Sequence, residues 1–129
     1  DGRIKPSLTI GTERMLTVGL NNNLVIASGA AIAGAILAGV VALVYQWGYV
    51  EGNDINLYPQ KMKNYLILGS VKFEGYTYPN QLWGFGALSI ERLFEELNKI
   101  SSRKETLLKH NGYLGSKKLY VRLPLQIYY

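Results

Sequence analysis

Leu24-Val-Ile-Ala-Ser-Gly-Ala-Ala-Ile-Ala-Gly-Ala-Ile-Leu-Ala-Gly-Val-Val-Ala-Leu-Val-Tyr45 is the stretch whose reading decides the fold. It is 22 residues long and Ser28 is its one mildly polar interruption. A helix needs about 20 apolar residues to cross the ~30 Å hydrocarbon layer of a bilayer. The uncharged stretch is longer still, because no Asp, Glu, Lys or Arg occurs between Arg14 and Glu51. Extended as a helix over 24–50, it would reach roughly 40 Å at 1.5 Å per residue, enough to span with some tilt. The sequence therefore predicts a single-pass transmembrane helix over 24–50 and a membrane location, with no readable orientation.

Small residues within the stretch follow two rows. Ala27, Ala31, Ala35 and Gly39 recur every four residues, as do Ala30, Gly34, Ala38 and Ala42. Rows offset by three lie side by side on a helix. Ile26, Ile32, Ile36, Leu37, Val40 and Val44 fall on the opposite side. Small side chains permit close backbone approach, the main source of helix association in lipid. The two rows are the candidate helix-packing surface, against copies of the same chain or against other membrane-protein subunits. Tyr45, Trp47 and Tyr49 follow as a candidate membrane-interface belt. All fifteen aromatic residues lie from Tyr45 onward. Asn21-Asn22-Asn23 precedes the stretch, with Asn23 as a candidate N-cap.

The whole chain has 129 residues, room for one small domain. Its mean hydropathy of +0.03 is a cancellation between the apolar stretch and polar flanks. Residues 1–23 form a short arm, in which Lys5–Ile10 and Met15–Leu20 are candidate extended segments joined across Gly11-Thr12-Glu13. Such an arm cannot bury a core and is expected to rest on a partner or on the membrane. Residues 51–129 can hold a small α+β domain. Tyr65–Phe73 alternates around Gly69 and reads as a strand or bent hairpin. An amphipathic helix follows over about 89–111, opened by Ser89 and stopped at Asn111-Gly112. Its apolar face of Ile90, Leu93, Phe94, Leu97 and Ile100 is a candidate partner contact. Ser102-Arg-Lys-Glu105 has the capping-box pattern, which predicts a break and restart at Ser101-Ser102. The last expected element is a strand over about 118–129, with Leu123, Leu125 and Ile127 as candidate partner contacts. Pro124 confines it to an edge, where another subunit adds naturally.

Chemistry is sparse. With no cysteine and one histidine, His110, the chain has no thiol nucleophile, disulfide or histidine-clustered metal site. His110 reads as a cation near a helix C-terminus. Glu91, Glu95 and Glu96 each have a basic neighbour and read as a solvated helix face. Trp83-Gly-Phe-Gly86 lacks the third glycine of a dinucleotide fingerprint; it reads as a lead-in that lays Trp83 and Phe85 on a surface. The net charge of +5 reads first as an ordinary solvated basic face; of the binding readings, anionic headgroups suit it better than nucleic acid, which is disfavoured as a partner. These features predict no enzyme, no cofactor and no metal. They predict a structural subunit of a larger membrane-embedded assembly, such as an energy-transducing complex or the membrane layer of a lipid-containing virus. The first alternative is a repeating coat or filament protein whose apolar helix lies in a protein core. The second is a membrane-anchored module that binds an acidic partner or a lipid surface.

Overall fold

The computed structural model of the chain describes residues 4–110, with side chains described to residue 107. The elements are β1 (Met15–Val18), β2 (Leu24–Ala27), α1 (Ala30–Tyr45), α2 (Pro59–Leu68), β3 (Ser70–Val71), β4 (Ala87–Leu88) and α3 (Ile90–His110). The expected mixture of helix and strand is present, with one long apolar helix near the N-terminus. The expected terminal strand, the stop at Asn111-Gly112 and the candidate contacts Leu123, Leu125 and Ile127 lie outside the described residues.

Leu24 to Ala27 is a strand, not the start of a helix. It pairs antiparallel with β1 in the register Met15↔Ala27, Leu16↔Ile26, Thr17↔Val25 and Val18↔Leu24. The turn between them uses Asn21 and Asn22, both left-handed at φ 58° and 59°. Two consecutive positive-φ residues match the twist of a hairpin, and asparagine tolerates that region best after glycine. Asn23 therefore closes a hairpin and does not cap a helix. Gly19 lets the ends of the hairpin meet, since a Cβ there would lie 2.8 Å from the Val25 side chain. The helix begins after Ser28 and Gly29, whose φ of 137° reverses the chain direction. From Gln46 to Val50 the helix widens into one π turn, closed by the Glu51 amide on the Gln46 carbonyl at 3.0 Å.

Residues 59–68 are helical where a strand was expected from Tyr65 onward. Pro59 sits at the first helical position, where its missing N–H costs nothing. Met62 and Leu66 are four apart and both buried, so the spacing of two within Tyr65–Phe73 was a subset of a helical pattern. Only Ser70 and Val71 are extended, paired with Leu88 and Ala87 of β4. Part of the N-terminal arm docks on the chain itself, while Leu16, Val18 and Leu20 stay exposed. Its Thr9 bridges to Ala87 in parallel, with Thr9 N–H on the Gly86 carbonyl at 3.1 Å and Leu88 N–H on the Thr9 carbonyl at 2.8 Å. The arm thus adds a single bridge alongside the two-stranded β3–β4 sheet.

Helix α3 opens as expected, with Ser89 Oγ accepting from the Arg92 amide at 3.3 Å. It does not break at Ser101-Ser102. The Ser101 hydroxyl donates to Asn53 Oδ1 at 2.5 Å and Lys104 Nζ donates to the Asn53 carbonyl at 2.8 Å. The loop after the π turn is thereby stapled to the middle of the helix, and the serine hydroxyl does not compete with the helix backbone. One buried cluster joins the parts: Val40, Val44 and Trp47, then Leu57, then Met62 and Leu66 of α2, then Leu93 and Leu97 of α3.

Candidate functional site

The candidate functional site is a contact surface built on α1 and the hairpin before it. The bulky side of α1 turns inward. Val40 and Val44 are buried, and Ile36, Leu37, Val41 and Tyr45 pack against the cluster. The small side turns outward. Ala30, Gly34, Ala38 and Ala42 are all exposed, and so are Ala31, Ala35 and Gly39. A Cβ placed on Gly34 or Gly39 would meet nothing within 4 Å. The two rows thus form one open face, apart from Ala27, which is the last residue of β2 and belongs to the hairpin. Seven adjacent small residues give a shallow surface that admits a close neighbour, and nothing within the described residues covers it.

The aromatic trio at the end of α1 divides. Trp47 is 4% exposed and meets the Tyr65 ring edge-on at 5.8 Å, so it is a core residue and not part of an interfacial belt. It follows Val40 and Val44 at helical spacings of four and three, on the same buried face. Tyr45 is half-buried and stacks on the exposed Tyr49 at 5.5 Å. The Tyr49 hydroxyl donates to the Leu57 carbonyl at 2.5 Å, a local pin for the loop. The proposed partner face of α3 also divides. Leu93 and Leu97 are fully buried in the chain's own cluster and offer nothing to a partner. Phe94 packs against the same cluster and Ile100 is half-buried. Ile90 alone of the five is largely exposed. The amphipathic pattern was read correctly as one buried face, but the other side of that contact is intramolecular.

Sequence reasoning missed one polar constellation. Asp54 is 8% exposed. It accepts from the Tyr65 hydroxyl at 2.7 Å and pairs with Lys61 Nζ at 2.5 Å. Burial acts to raise its carboxyl, and the Lys61 and Tyr65 contacts outweigh that and hold it below the usual carboxylate range. Burial and the adjacent carboxylate push the Tyr65 phenol up, so it stays protonated and donating. The network fixes the loop after the π turn against α2. The only sequence signal was an acidic residue followed by Lys61 and Tyr65 seven and eleven positions on, spacings that mean something only once α2 is in place.

The lead-in Trp83-Gly-Phe-Gly86 is a rigid turn. Gly84 and Gly86 are left-handed, at φ 58° and 134°, and a Cβ on Gly84 would strike the Pro6 and Ser7 carbonyls of the docked arm. Asn80 Oδ1 accepts from the Leu82 and Trp83 amides at 3.0 and 2.8 Å. Trp83 is half-buried and lies 4.7 Å from the Phe73 ring. On α3, Glu96 is bridged by Lys99 at 2.6 Å on the open face, as a solvated face requires.

No family model matches the chain, and no curated protein matches it. Among solved structures it is similar to the CspB protease of Clostridium perfringens. The two share 33% identity with a TM-score of 0.70, over 74% of this chain and 21% of that one. The chain spans about a fifth of the length of that solved protein.

Proposed function

We propose that this chain is a non-catalytic, core-forming part of a larger protease-like protein, in which α1 is an interior helix and its small-residue face seats neighbouring polypeptide. The observation that carries this reading is the open face of α1 together with a likeness that accounts for only 21% of the similar protease. That likeness leaves most of a protease-sized fold to lie against this part. In this reading the chemistry of peptide-bond cleavage belongs to the rest of that protein; the sequence's single histidine and lack of cysteine support it.

The alternative is a single-pass subunit of a membrane assembly. It is favoured by the length and mean hydropathy of Ala30–Val50, 21 residues at 1.9. Packing argues against it. The middle of that span is Val40, which shares its buried cluster with Leu93 and Leu97 of α3. A bilayer centred on Val40 would bring Glu91, Arg92, Glu95 and Lys99 of α3 to hydrocarbon depth, where charged side chains are costly. A soluble domain places the same residues in water.

Fractionation of native cells decides between the two. An antibody against residues 51–107 is used after a carbonate wash. The expected band is soluble and well above the 14.4 kDa of this sequence. A band that stays in the membrane pellet and is released only by detergent overturns the proposal in favour of the membrane subunit.

A further inference from the structure

No further inference is drawn: the strongest candidate, the exposed aliphatic face that Leu16, Val18, Leu24 and Ile26 form on the β1–β2 hairpin, carries none, because nothing in the structure shows what covers it.

Discussion

Asp54 shows how a residue without a motif governs a local fold. Its carboxylate ties Lys61 and Tyr65 of α2 to the loop after the π turn. Asp54→Asn keeps an acceptor but removes the charge, and a hydrogen bond to a charged group contributes about 1.5–3 kcal/mol. A loss of that order is expected in the urea midpoint of the purified chain at pH 7. Because the folded carboxyl lies below its ordinary value, its contribution is complete above the unfolded carboxylate value of about 3.9. The contribution falls as pH drops through the folded value. The wild-type midpoint therefore falls on acidification below about pH 4, and the Asp54 part of that fall is missing in Asp54→Asn. An equal acid dependence in both proteins contradicts the assignment. Gly69 sets a second residue-scale limit. A Cβ there would lie 2.5 Å from the Leu93 Cβ, so Gly69→Ala forces α2 and α3 apart. Overpacking of this kind costs about 1–3 kcal/mol, and thermal unfolding should register it.

At the scale of elements, burial separates α3 into working and idle positions. Leu93→Ala and Leu97→Ala each empty a fully buried site and should cost about 2–5 kcal/mol. Ile90→Ala, at a largely exposed site, should change stability by under about 0.5 kcal/mol, and urea titration of the three variants orders them. If all three lose equally, α3 does not pack by this face. The legibility of the elements follows the same physics. Helix α3 was readable because Ile90, Leu93, Phe94, Leu97 and Ile100 repeat at three and four over about three turns. Helix α2 was not, because four of its apolar residues run consecutively over 65–68 and hide the helical period, and Tyr65, Ile67 and Gly69 mimic an alternation. The strand β2 was absorbed into the helix because Leu24-Val25-Ile26-Ala27 is aliphatic on both faces. A short apolar run has no period that tells strand from helix. The boundary was nonetheless written in Ser28-Gly29, where a glycine at φ 137° ends one element and starts the next. Asn21-Asn22 was the matching hairpin signal. The Asp54 network and the docking of Thr9 on β4 depend on contacts across 11 and 78 positions, and no local pattern encodes them.

At the scale of the whole molecule, the choice between lipid, water and protein falls on the open face of α1. The two small-residue rows were legible from spacing alone; what they pack against was not, because an apolar helix satisfies a bilayer and a protein interior equally. Gly34 and Gly39 separate the stability of this chain from its association. Both are exposed, neither is left-handed, and a Cβ on either meets nothing within 4 Å. The double variant Gly34→Leu, Gly39→Leu therefore leaves the chain's own core untouched. Replacing helical glycine raises helix propensity by several tenths of a kcal/mol per site, so the unfolding midpoint of the isolated chain should hold or rise. In the native setting the same leucines stand where a neighbour's backbone must approach, and incorporation into the high-mass species should be lost. Urea titration of the isolated chain reads the midpoint, and pulse-labelled chain followed by size fractionation reads incorporation. Unchanged incorporation shows that the small-residue face does not seat a close neighbour, and a lowered midpoint shows that it is covered by the chain itself.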